Sequence, residues 1–181
     1  MVNFYDDFLE EHIAQLIDMQ LKDVSWKFDY DSVENGLNKH WHVFCGHDEE
    51  SLREDISPIW QKIKKEWPDL QLERAYLNAH THGIEPHIHR DDGAVTLIYY
   101  PRMDWKNEWG GGTVVYDNNI KDITDHVNYR GNRLIQFSAQ LPHQAQPVSR
   151  ECYQLRTCVV FKTTLPYVSN RSRSSFSKRV N

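Results

Sequence analysis

The sequence has little of what marks several large classes of protein. It has three cysteines in 181 residues, Cys45, Cys152 and Cys158, odd in number and without metal-type spacing. They read as free thiols of a reducing compartment, which points to the cytoplasm. No apolar run approaches membrane-spanning length, so no membrane span is expected. The start, Met-Val-Asn-Phe-Tyr-Asp-Asp-Phe, is acidic and lacks the apolar centre of a signal peptide. Positive charge is not in excess: the formal net charge of -5 argues against general affinity for nucleic acid or an anionic membrane. There is no internal repeat and no composition break before Ser169. We expect one domain over 1–168, large enough to bury a core, and a basic, Ser-rich, disordered tail over 169–181.

Aromatics and histidines are plentiful: six Trp, nine Tyr and ten His. Asp7, with Glu10 three residues on, predicts a capped helix over 8–21, striped by Leu9, Ile13, Leu16, Ile17 and Leu21. Trp26, Phe28 and Tyr30 alternate as a strand, Asn35-Gly36 marks a turn, and Trp41, Val43 and Cys45 form a second strand. Ser51 and Glu54 suggest a second capping box, opening a helix over 51–67 that is kinked near Pro58 and ended by Trp67-Pro68. From Leu72 the period becomes two. Strands are expected at 72–78, 94–100, 113–116, 132–137 and 153–163. Many short strands after a helical start predict a mainly β jelly roll, cupin-like, with flanking helices.

The chain is organised around His87-Ile-His-Arg-Asp-Asp-Gly93. In an extended segment His89 and Asp91 point to one side, so an imidazole and a carboxylate can face one metal ion. His143 in Leu-Pro-His-Gln-Ala-Gln-Pro is the candidate third ligand. Two His and one carboxylate on one face leave positions open, the arrangement of non-haem Fe(II) oxygenases. His87 also forms an i, i+2 pair with His89 and is the alternative ligand. His80 and His82 read as loop or pocket-rim residues, and Gly110-Gly111-Gly112 as a hairpin turn without chemistry.

His89-Arg-Asp91 with the strand Thr96-Leu-Ile-Tyr-Tyr100, then Trp105 to Thr113, then Arg133-Leu-Ile-Gln-Phe137 with His143 and Pro147 give the chain a family likeness. From about Phe4 to Thr164 it resembles the prolyl 4-hydroxylase-like branch of the 2-oxoglutarate- and Fe(II)-dependent dioxygenases. The resemblance implies a double-stranded β-helix with iron at its mouth. It implies Fe(II) and 2-oxoglutarate as cofactors, with room for ascorbate beside them. By position, His89, Asp91 and His143 would be the iron ligands, Tyr100 would bond the far carboxylate of 2-oxoglutarate, and Tyr76 would line the same pocket. The chain departs from the branch in two places. Pro101-Arg102 follow the tyrosine pair where the family has Leu-Asn, so the strand should end early. Cys152 and Tyr153 stand where prolyl hydroxylases carry Arg or Lys.

A buried carboxylate of the co-substrate needs a fixed cation, and a guanidinium offers a two-pronged bond. Arg156 is favoured over Arg150, because it lies within Tyr153 to Phe161 on a face with Cys158 and Val160, while Arg150 sits in a polar stretch. The reading is a dioxygenase that hydroxylates an unactivated C–H bond, with a peptidyl proline the first candidate. Its rivals are a hydroxylase of a small metabolite or nucleobase, and a non-catalytic cupin-like metal-binding module. Peptide or small molecule is the expected partner, not membrane or nucleic acid. The rim loops 31–39, 79–88 and 101–110 would choose it.

Overall fold

The structure, a computed structural model, describes residues 2–33 and 36–166; the tail expected over 169–181, and Asn35 of the turn signal, lie outside them. In order the elements are β1 (Asn3–Tyr5), α1 (Glu11–Gln20), β2 (Lys27–Tyr30), β3 (His40–Gly46), α2 (Ser57–Glu66), β4 (Gln71–His80), β5 (Val95–Tyr100), a 3-10 turn (Asn107–Trp109), β6 (Thr113–Tyr116), β7 (Ile123–Val127), β8 (Arg133–Ser138), β9 (His143–Ala145) and β10 (Arg156–Thr164). The strands form a seven-stranded sheet, β1-β8-β5-β10-β4-β3-β2, and a three-stranded one, β7-β6-β9. Every pairing is antiparallel. Among the described residues no helix is long and apolar enough to cross a membrane.

Alternation along the central strands sorts side chains onto two cores. Ala75, Leu77, Leu97, Tyr99, Val159 and Phe161 face α1 and α2 and meet Ile17, Leu21, Ile59 and Ile63. Their neighbours Tyr76, Ile98, Tyr100, Cys158 and Val160 face the other way, toward Val127 and Tyr129 and the small sheet. The helices thus press the large sheet from outside, and its inner face is free to build a site. This is the jelly roll expected from the sequence.

Both helices are shorter than expected, and neither capping box forms. Asp7 has a φ of 49° and makes no cap. Asn132 takes that work: its side-chain oxygen accepts the Leu9 N–H (2.9 Å) and its amide donates to the Leu9 carbonyl (2.8 Å). Leu16, placed on the buried stripe by spacing, is 44% exposed. Ser51 turns back to accept the N–H groups of His47 and Asp48, so α2 begins at Ser57 with Pro58 in its first turn. The last strand starts at Arg156 rather than Tyr153, and β1, β7 and β9 add to the expected set. Strand β5 does end at Tyr100, and Arg102 explains the break in pattern. It is 3% exposed and donates to the Asp18 carboxylate and to the Asp18 and Leu21 carbonyls, all within 3.1 Å. It thereby closes the C-terminal end of α1, where helix carbonyls lack partners.

Candidate metal centre and co-substrate pocket

His89 and Asp91 come from the loop between β4 and β5, and His143 opens β9. The loop is extended but is not a strand. It is pinned by three backbone bonds: His89 N–H to the His143 carbonyl (3.0 Å), the reciprocal bond (2.9 Å), and Asp91 N–H to the Ala139 carbonyl (2.8 Å). One ligand atom from each of the three side chains falls within 4.8 Å of the others. Asp91 is 8% exposed and His143 3%. His87 turns away, bonding Asp31 through Nδ1 and Asn38 through Nε2.

The protonation of these groups follows from their partners. His89 Nδ1 meets the His87 carbonyl at 3.0 Å, and His143 Nδ1 meets the Leu141 carbonyl at 2.9 Å. A carbonyl only accepts, so each Nδ1 carries the hydrogen and each Nε2 presents a lone pair. Burial lowers the His143 pKa and so favours that neutral form. The two Nε2 atoms lie 3.4 and 3.3 Å from the oxygens of Asp91. Burial works against charge on Asp91, and the Lys162 ammonium beside it favours that charge. Neutral imidazole lone pairs set against a carboxylate repel one another unless a cation lies between. The donor set therefore fits a divalent metal of the Fe(II) kind, with each imidazole oriented by a carbonyl behind it.

The same cavity holds two buried cations. Arg156, 1% exposed, stands opposite His80 in the β10–β4 register. Its Nε donates to the Gly111 carbonyl (2.7 Å), and one terminal nitrogen donates to Cys158 Sγ (3.3 Å) and to His80 Nδ1 (3.4 Å). Among the described residues no carboxylate pairs with it. An unpaired buried cation is costly, and its presence in a cavity beside the candidate metal triad fits a carboxylate ligand. The second cation is Lys162, 1% exposed, whose ammonium contacts Asp91 Oδ2.

Tyr76 lines this cavity with Arg156. Tyr100 lies one layer back: its hydroxyl is bonded to Thr113 Oγ1 at 2.6 Å, and Thr113 lines the cavity. Burial pushes the Tyr100 hydroxyl up to about 12, so it stays neutral and can donate. Arg150 is exposed and lines none of the cavity. His80 is not a loop or rim residue: it ends β4, is 3% exposed and lies beneath Arg156. The glycine turn is not idle either, since Gly111 orients Arg156. Sequence reasoning missed Lys162 and Thr96, although Lys162 shares the strand parity that singled out Arg156.

No curated protein matches the sequence closely enough to report a relative. Solved structures do match in fold. A prolyl hydroxylase from Trichoplax adhaerens, in complex with a hypoxia inducible factor oxygen degradation domain peptide fragment, has a TM-score of 0.67 at 16% identity, over 90% of this chain and 83% of that one. A Pseudomonas putida prolyl-4-hydroxylase gives 0.63 at 12%, over 89% and 91%. The viral collagen prolyl hydroxylase of Paramecium Bursaria Chlorella virus-1 gives 0.63 at 13%, over 91% and 96%. The model of the 2OG-Fe(II) oxygenase superfamily matches residues 70–161, a span that contains His89, Asp91, His143 and Arg156. The chain is thus a member of the 2OG-Fe(II) oxygenase superfamily, dioxygenases whose cofactors are Fe(II) and 2-oxoglutarate.

Proposed function

We propose that this dioxygenase holds Fe(II) through His89, Asp91 and His143, seats 2-oxoglutarate against Arg156, and hydroxylates a C–H bond of a peptidyl proline. The observation that carries the site is the convergence of two imidazole lone pairs and a carboxylate within 4.8 Å, in one cavity with an unpaired buried guanidinium. Iron and the keto acid, when bound, supply the oxidising chemistry. The chain binds and orients them. The triad grips the metal from one side and leaves the other open. Arg156, aimed by the Gly111 carbonyl and His80, offers its free terminal nitrogen to the far carboxylate. Thr113 and Tyr76 give that end polar neighbours, while Ile98 and Val160 present apolar walls that keep water out. The peptide reading is supported by the fold neighbours, one a prolyl hydroxylase in complex with a hypoxia inducible factor peptide fragment and another a viral collagen prolyl hydroxylase.

The test is Fe(II)-dependent formation of succinate from 2-oxoglutarate, measured with proline-containing peptides, free amino acids and nucleosides, with mass spectrometry for one added oxygen. Proline peptides should stimulate turnover and gain the oxygen. His89→Ala, Asp91→Ala and His143→Ala should each abolish turnover in a folded protein. Arg156→Ala should raise the KM for 2-oxoglutarate by at least about tenfold, and Arg156→Lys should recover only part of that. Full turnover in His143→Ala would sink the metal assignment. Oxidation of nucleosides or free amino acids with none of peptides would move the substrate.

A further inference from the structure

Lys162 is a buried charge that the reading above leaves without a task. It lies on β10 directly opposite Thr96 of β5. Both side chains reach Asp91 from the floor of the large sheet, and both meet the same oxygen. Thr96 Oγ1 donates to Asp91 Oδ2 at 2.6 Å, and the Lys162 ammonium contacts Oδ2 as well. A carboxylate oxygen has two lone pairs, so two donors occupy it. Oδ1, 3.4 Å from His89 Nε2, carries no such donor, while Oδ2 also lies 3.3 Å from His143 Nε2.

We propose that Lys162 is a positioning residue: with Thr96 it pins Oδ2 of Asp91, so that the carboxylate grips the metal through Oδ1 alone. This rests on the reading that His89, Asp91 and His143 hold the metal. A free carboxylate can bind a divalent ion through one oxygen or two. Two would close one of the positions that a bidentate keto acid and dioxygen require of a three-ligand site. A hydroxyl alone could be displaced by the metal. An ammonium cannot, because leaving Oδ2 would strand a cation in a site that is 1% exposed. Of the other cations around Asp91, Arg74 is paired with Asp92 at 2.9 Å and Arg90 donates to the Gln140 and Asn118 carbonyls. The ammonium also draws on the charge of Asp91, so it should weaken the grip on the metal while keeping a place open for the co-substrate.

That opposition of signs gives the test. Co(II) replaces Fe(II) as a probe that reports its ligand number in its visible d–d bands. Calorimetry measures Co(II) affinity and then 2-oxoglutarate affinity of the Co(II)-loaded protein. Lys162→Met should bind Co(II) about tenfold more tightly, since a like charge beside the ion is gone. It should bind 2-oxoglutarate about tenfold less tightly and show altered d–d bands. Lys162→Arg, which keeps the donors, should restore the wild-type bands. Thr96→Val, should Lys162→Met not fold, should alter the bands and weaken 2-oxoglutarate without tightening Co(II). Wild-type bands and wild-type 2-oxoglutarate affinity in both Lys162→Met and Thr96→Val would overturn the proposal. So would loss of Co(II) binding in folded Lys162→Met, the mark of a merely structural role. If His143→Ala binds Co(II) as the wild type does, the metal assignment itself has failed and takes the role of Lys162 with it.

Discussion

Single side chains shut inside the inner face of the large sheet set how the protein answers to pH. His40 is 1% exposed and neither ring nitrogen has a partner among the described residues. It meets His80 edge to face at 4.8 Å. Burial pushes the His40 pKa down to about 4 against the opposing influence of the Asn38 backbone; His42 adds to the fall, and Asp31 and Asn78 oppose it. Burial, then the charge of Arg156, hold His80 well below the usual range. A folded pKa below the unfolded 6.5 means that the unfolded chain binds more protons between them. Stability is therefore full above about pH 6.5 and falls as pH drops toward 4, by about 3 kcal/mol for His40 alone. Urea midpoints at pH 7 and pH 5 should differ clearly in the wild type and less in His40→Phe; equal slopes would refute the assignment. At this scale the clustering of His89, Asp91 and His143 and the burial of Arg156 were legible in the sequence, because a His-x-Asp and a charge inside an apolar strand are local patterns. Lys162 was not read, because it stands near the end of its strand, where a lysine is ordinarily solvated. It is buried between β4 and β5 with Asp91 of the 81–94 loop against its ammonium. His40 and His80 look like strand-end polars for the same reason.

Elements were legible where alternation or helical spacing runs long, as in β4, β5 and β10. They were not where another element does the work. Strands β1 and β9 have three residues each and exist by pairing with β8 and β6. Asp7 and Ser51 fit the capping pattern, but Asn132 and the turn at Asp48 hold the chain otherwise. The glycine turn before β6 shows how an element's backbone serves the site. Gly111 has a φ of +77°, and a Cβ there would lie 3.1 Å from both Arg156 Cγ and Trp105 Cζ2. Gly111→Ala should cost about 1–3 kcal/mol of stability through strain. It should also weaken 2-oxoglutarate binding severalfold, since Arg156 must shift from the carbonyl that aims it. Calorimetry with the co-substrate, alongside thermal melting, separates the two. Wild-type affinity in a destabilised variant would mean that the turn only supports the fold.

At the scale of the molecule, site and fold share one sheet, so filling the site should stiffen the whole. A divalent metal with 2-oxoglutarate, each at about a hundred times its Kd, should add about 2.7 kcal/mol per ligand. Each such increment raises Tm by about 5–10 °C in a domain of this size. Chelation should reverse the gain, and 2-oxoglutarate without metal should give little of it. A melting temperature indifferent to both would count against the pocket.

The place of β10 has a consequence for how the chain is made. It is the last described strand in sequence and sits in the middle of the seven, between β5 and β4. While a ribosome is still short of it, the large sheet exists only as two halves, β1-β8-β5 and β4-β3-β2, each with a bare edge open to wrong partners. Distant pairing of this kind is slow, so the interval between synthesis and closure is when the chain most needs chaperones. The strand that ends that interval also delivers Arg156 and Lys162. A nascent chain thus acquires both buried cations of its pocket only as its sheet becomes whole.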